Sequence, residues 1–139
     1  MKKGWRGYNF SREIEGNSIP QRVQNIAIRN YCQNNGLHFL LSATEYCMPG
    51  CYMILNGIYA ELDQIEGIVF YSIHMLPSDA QARMEMYEAV LSRGCGLRFA
   101  LEELTVLRQE DISDLEEILI CKDLIQRTSI LPEGYLSES

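Results

Sequence analysis

Basic residues, nucleotide-binding glycine motifs and long apolar runs are what this 139-residue chain has least of. Twelve Lys and Arg stand against nineteen Asp and Glu, for a net charge of −7. Nucleic-acid-binding surfaces are normally basic, so no nucleic-acid partner is expected. No run of 18 apolar residues occurs, so no membrane-spanning helix is expected. The opening Met1-Lys2-Lys3-Gly4-Trp5-Arg6-Gly7 lacks the apolar stretch of a signal peptide, which points to a cytoplasmic protein. There is no GxGxxG and no GxxxxGK[ST], which disfavours dinucleotide and P-loop nucleotide binding; no cofactor is expected. Five cysteines (Cys32, Cys47, Cys51, Cys95 and Cys121) are odd in number and scattered, so reduced thiols fit better than a disulfide framework. Cys47 and Cys51 lack the further clustered ligands a structural zinc requires, and no metal site is expected.

What is present is an ordinary globular balance, with 47% apolar and 22% charged residues. The length fits one domain over residues 1–139, able to bury roughly 70% of its unfolded surface without a staple. No internal repeat or linker interrupts it. Strand-like and helix-like periodicities alternate. Residues 4–11 read as a first strand. Residues 18–35 read as a helix carrying Ile19, Val23, Ile26, Ala27 and Tyr31 on one face, opened by a Ser18…Gln21 capping box and stopped at Asn34-Asn35-Gly36. A second strand at 37–42 leads to a helix at about 51–65, and His38 reads as adjacent to the core. Residues 67–73 form the clearest strand, continuously apolar as expected when both faces are covered. A second capping box, Ser78…Gln81, opens a helix at about 78–93. A fourth strand follows at 97–101, and a last helix, capped by Asp111, at about 111–126. The tail from Ser129 reads as irregular. The order βαβαβαβα implies right-handed crossovers. The expected fold is a three-layer α/β domain with a mainly parallel, four-stranded sheet and flavodoxin-like winding.

In such a sheet the carboxyl ends of the strands share one edge, where ligands bind. That edge would collect Asn9, Ser11 and Arg12, then Thr44 and Glu45, then Ser72, His74 and Ser78, then Glu102 and Glu103. Helices starting near Ser18 and Ser78 would add free N–H groups suited to anions. Ser11 and His74 are the candidate catalytic pair, nucleophile and acid or base. Arg12, Asn9, Gln21, Asn25, Ser78 and Glu102 are the candidate substrate-binding groups. The bland reading makes Ser11 a turn residue and His74 a strand-end structural residue. Tyr8, Tyr46, Tyr52 and Tyr71 could supply a stacking wall, or core and rim packing.

Gly7-Tyr8-x-x-Ser11, then Gln21, the Tyr31-Cys32-x-x-x-Gly36 of the first helix, the 67–73 strand, Leu76 and Gly96-Leu-Arg-Phe-Ala-Leu-Glu resemble the catalytic domain of serine recombinases. The resemblance spans roughly residues 4–125 and implies a resolvase-like winding, with Ser11 at the position of the nucleophile. It also implies arginines that are missing. His74-Met75-Leu76-Pro77-Ser78 stands where that family has Asp-Arg-Leu-x-Arg, and Asn9 replaces the Arg before the nucleophile. A phosphoryl transition state would lose its stabilising guanidiniums, so DNA strand exchange is not expected.

Over nearly the whole chain, Arg6-Gly7-Tyr8-x-Phe10-Ser11-Arg12, Ile19-Pro20-Gln21-x-Val23-Gln24-Asn25, Ser72-Ile73-x-Met75-Leu76-Pro77 and Phe99-Ala100-x-Glu102 resemble the sporadic carbohydrate cluster proteins. That resemblance implies a role in bacterial surface-carbohydrate (O-antigen or capsule) assembly, with a sugar phosphate or nucleotide sugar bound or transformed at the sheet edge. The alternative is a non-catalytic binding or scaffold protein on a degenerate recombinase fold. A homodimer or other homo-oligomer is expected, because the last helix is apolar around much of its circumference.

Overall fold

The computed structural model describes residues 2–130, with side chains described through residue 125. β1 (Trp5–Phe10), β2 (Phe39–Glu45), β3 (Gly67–Phe70), β4 (Gly96–Phe99) and β5 (Leu104–Val106) form one sheet in the order β2-β1-β3-β4-β5. The first four strands are parallel, and β5 turns back antiparallel to β4. The sheet therefore has five strands, not four. The three-residue β5 follows β4 through a tight connection in which Glu103 has φ 56°, too short a segment to leave a periodic trace.

The helices are α1 (Gln21–Asn34), α2 (Met53–Ile58), α3 (Ala80–Ser92) and α4 (Gln109–Ile130). α1 covers one face of the sheet, packing Ile28, Tyr31 and Cys32 on Trp5 and Val69. The other face carries the larger core, in which Tyr8, Phe10, Ile68, Phe70, Leu97 and Phe99 meet apolar residues of α2, α3 and α4. Tyr8 and Phe70 stack edge-on with ring centroids 5.1 Å apart. Gly67 is needed beside Trp5, because a Cβ there would overlap the indole ring and the Gly96 carbonyl.

Several local expectations are corrected. α1 begins at Gln21 behind Pro20, with no side-chain cap, so the Ser18…Gln21 box does not form. Its buried stripe is Gln24, Ile28, Tyr31 and Cys32, while Val23 and Ile26 are exposed. α3 is capped by Asp79, whose carboxylate accepts from the Ala82 N–H, one residue after the expected Ser78. The expected 51–65 helix is the six-residue α2 followed by a 3-10 turn at Tyr59–Glu61. Asp111 lies inside α4 and reaches back to accept from the N–H groups of Leu107 and Arg108, the acid half of a capping box. His38 precedes β2 and is exposed rather than core-adjacent. Ser129 and Ile130 continue α4, and the rest of the expected irregular tail lies outside the described residues. No helix among the described residues is long and apolar enough to cross a membrane.

Candidate functional site

The carboxyl end of β1 is closed from α1. Gln24, fully buried, accepts from the Phe10 N–H and donates to the Phe10 carbonyl, each at 2.8 Å, and donates to the Ile19 carbonyl at 2.8 Å. This plug replaces the ladder partners that the strand end lacks, as a buried backbone requires. Sequence reasoning chose Gln21 and Asn25 on this helix and missed Gln24. The signal was present: Gln24 is one turn before Ile28, in register with the apolar stripe. Gln21 is exposed at the helix start, and Asn25 accepts from the Ser42 hydroxyl at 2.6 Å.

Beyond Phe10 the chain presents Ser11 and Arg12, and both are engaged with the loop that follows β2. The Ser11 hydroxyl donates to the Glu45 carbonyl at 2.6 Å. The Arg12 guanidinium donates through Nη1 to the carbonyls of Tyr46, Met48 and Cys51, at 3.2, 3.2 and 2.8 Å. It also lies 3.9 Å from the Phe10 ring centroid and 5.0 Å from that of Tyr52. Under the same loop, Glu45 is buried with 1% exposure. Its carboxylate accepts from the Tyr8 hydroxyl at 2.7 Å and from the N–H groups of Tyr46, Ile54 and Leu55. Burial alone would raise its pKa, yet the hydrogen bonds from Ile54, Tyr8, Leu55 and Tyr46 together outweigh burial and hold it below the usual carboxylate range. The Tyr8 hydroxyl is pushed far up, first by burial and then by donating to Glu45.

His74 lies in a 3-10 turn, Ile73–Met75, after β3. Glu102, from the β4–β5 connection, accepts from the Ser72 hydroxyl at 2.7 Å and the Ile73 N–H at 3.0 Å. Ser72 in turn accepts from the His74 N–H. The imidazole is held at both nitrogens: Nδ1 is 2.5 Å from the Glu15 carboxylate and Nε2 is 2.9 Å from Lys122 Nζ on α4. An ammonium can only donate, so Nε2 accepts and the proton sits on Nδ1, facing Glu15. Glu15 is delivered by a two-residue hairpin turn, with Glu15 at φ 51° and Gly16 at φ 77° between the bridged Ile14 and Asn17.

A cavity of about 750 Å³ opens between α2 and α3. Its wall includes Arg12, His74 and Ser78, together with Tyr52, Asn56, Tyr59, Asp79 and Glu85. The structure thus brings Arg12, His74 and Ser78 to one cavity. It leaves Asn9, Ser11, Gln21, Asn25 and Glu102 out of the cavity lining. Alternation along β1 puts Asn9 on the α1 side, opposite Tyr8 and Phe10. There it is 3% exposed, and its Oδ1 is buried with no partner among the described residues. A second cavity, of about 580 Å³, has His74, Glu15, Arg83 and Lys122 in its wall, and the segment His74 to Ser78 contributes to both cavities. Tyr52 was read from sequence as part of a possible stacking wall, whereas Asn56, Tyr59 and Glu85 were not singled out; α2 and the turn at Tyr59–Glu61 bring Asn56 and Tyr59 opposite Glu85 of α3. Among the described residues no group of three or more His, Cys, Asp or Glu could hold a metal ion.

No family model matches the sequence, and no curated protein matches it. Solved structures do match the fold. The N-terminal catalytic domain of TP901-1 integrase superposes with a TM-score of 0.64 at 8% identity, covering 88% of this chain and 98% of that one. A resolvase-family site-specific recombinase from Streptococcus pneumoniae superposes with a TM-score of 0.61 at 13% identity, covering 96% and 97%. Identities this low show architecture alone. The chain has a fold like that of resolvase and serine-integrase catalytic domains: a five-stranded, mostly parallel α/β sheet.

Proposed function

We propose that this protein is a non-catalytic binding protein on a resolvase-like fold, and that it holds a sugar derivative in the cavity between α2 and α3. The observation that carries this reading is the occupancy of the would-be catalytic groups. The Ser11 hydroxyl donates to a backbone carbonyl, Arg12 braces three carbonyls, and the lone pair of His74 that a general base needs already accepts from Lys122. A nucleophile without an adjacent base is weak. The neighbouring cavity, lined by tyrosines and polar side chains, has the make-up of a small-ligand site.

The finer role follows the carbohydrate-cluster resemblance: handling an intermediate of bacterial surface-glycan assembly. We further propose that DNA strand exchange is absent, because the net charge of −7 opposes a phosphate backbone. The exposed Ile120, Leu124 and Ile125 of α4 favour self-association. Light scattering after size exclusion should give a dimer or higher oligomer, and a strict monomer removes that part. The test of the main reading is incubation with hexoses, hexosamines, sugar phosphates and nucleotide sugars. Thermal shift and product analysis are read together. A stabilising shift without turnover is expected. Conversion of any sugar that disappears in Ser11→Ala would restore the catalytic reading. No shift with any compound would end the ligand reading.

A further inference from the structure

We infer that the ligand of the α2–α3 cavity is an uncharged or amine-bearing saccharide, and that phosphorylated sugars are selected against. This rests on the cavity being the binding site, and it fixes the chemical class the site accepts. The reason lies in which polar groups of the wall remain available. Arg12 is the one guanidinium among the described lining residues, and it is already donated to the carbonyls of Tyr46, Met48 and Cys51 and stacked on Phe10. All three bonds leave from Nη1, so turning that nitrogen to a phosphate would weaken the hold on the loop at 46–51, where only the Met48 carbonyl has a second donor among the described residues, the Cys51 N–H. Both ring nitrogens of His74 are engaged, Nδ1 with Glu15 and Nε2 with Lys122.

The available groups suit hydroxyl and amine donors instead. The side chains of Asn56, Ser78 and Glu85 make no hydrogen bond to another described residue, and Asp79 uses only Oδ2 to cap α3. With Arg12 at +1 and Glu13, Asp79 and Glu85 at −3, the lining carries a formal charge of −2. A dianionic phosphate placed there meets a net like charge that the single guanidinium of Arg12 offsets only in part. Tyr52 and Tyr59 also line the wall. The Tyr52 hydroxyl is anchored on the Met75 carbonyl at 2.8 Å, which holds its ring in place. The Tyr59 hydroxyl bonds no described residue, and burial pushes its pKa up to about 12, so it stays a donor across the neutral range. Aromatic side chains flanked by uncommitted acceptors suit a pyranose ring, whose apolar face packs while its hydroxyls donate. The acidic side chains stand at the open rim, so screening keeps the discrimination moderate.

Calorimetric titration of the full chain with a panel of hexoses, hexosamines and the corresponding hexose 1-phosphates tests this. Hexosamine is expected to bind at least as tightly as the parent hexose, and the phosphate about tenfold or more weakly. Glu85→Gln should narrow the hexosamine-to-phosphate ratio severalfold at unchanged melting temperature. Tyr59→Phe should weaken hexose binding severalfold by removing the hydroxyl while keeping the ring. Tighter binding of a hexose 1-phosphate would overturn the inference and leave the cavity reading standing. An unmoved ratio in Glu85→Gln would do the same. Absence of binding by every compound would overturn both.

Discussion

The rim at the ends of β1 and β2 and the cavity wall one helix away draw on similar side chains, yet their states differ. At the rim, Ser11, Arg12 and Glu45 are all bonded to backbone groups or to Tyr8, and Glu45 is sealed from solvent. In the cavity wall, Asn56, Ser78 and Glu85 have no described partner. The difference comes from geometry. The loop at 46–51 folds back over the strand ends and brings orphan carbonyls and amides that must be satisfied. α2 and α3 satisfy their own backbones and leave the side chains between them unengaged. Polar residues gathered at strand ends are therefore no sign of chemistry by themselves; whether their hydrogen-bonding capacity is already filled decides it.

The largest effect that bears on this contrast is at Glu45. Glu45→Ala removes the acceptor for the Tyr8 hydroxyl and for the N–H groups of Ile54 and Leu55, all brought together in the core. A loss of about 3 kcal/mol in urea unfolding is expected; a loss under about 1 kcal/mol would defeat the claim that the rim is structural. The same carboxylate sets an acid limb. Its folded pKa lies below its unfolded value, so its stabilisation is present above about pH 4.3 and is lost as pH falls through the folded pKa. Glu116, held low mainly by Arg83, acts in the same direction. Unfolding midpoints should therefore drop below about pH 4 in the native chain, and less steeply in Glu45→Gln.

Next in size is Arg12→Ala, expected to cost about 2 kcal/mol through the bonds lost at the Tyr46, Met48 and Cys51 carbonyls, of which Met48 keeps the Cys51 N–H. Hydrogen exchange should show faster opening of residues 46–51. Arg12→Lys should recover less than half of the loss, because an ammonium cannot reproduce the planar contact with the Phe10 and Tyr52 rings. Ser11→Ala is smaller, within about 1 kcal/mol, and should leave sugar binding intact. Smallest is Glu85→Gln, expected within about 0.5 kcal/mol of the native stability because it disturbs no bond, while it alters ligand preference. If Ser11→Ala abolished binding while Glu85→Gln did nothing, the assignment of the two regions would be reversed.

Much of the architecture was legible because it follows from local periodicity. The apolar 67–73 run marked the central strand, and alternating strands and helices implied the parallel sheet. What local patterns missed were competitions between neighbours. Asp79 displaced Ser78 as the cap of α3, and Pro20 preceded α1 without any side-chain cap. The α1 face was misread because Gln24, a polar residue, belongs to the buried stripe through its bonds to Phe10, a residue fourteen positions away. At the site, Arg12 and His74 line one cavity, but Asn9 faces the α1 side and Ser11 lines no described cavity. Glu45 read as one more edge acid, since nothing nearby in sequence announces Tyr8 as its partner 37 residues away.

The order of residues was enough to settle the α/β class and the helix-covered, mainly parallel sheet, because periodicity acts over a few residues. Only the folded chain decides which polar groups are filled and which are open: Arg12 braced on a distant loop, His74 clasped between Glu15 and Lys122, and the cavity between α2 and α3. Hydrogen-bond satisfaction depends on partners tens of residues apart, and only the closed sheet with its docked helices brings them within reach.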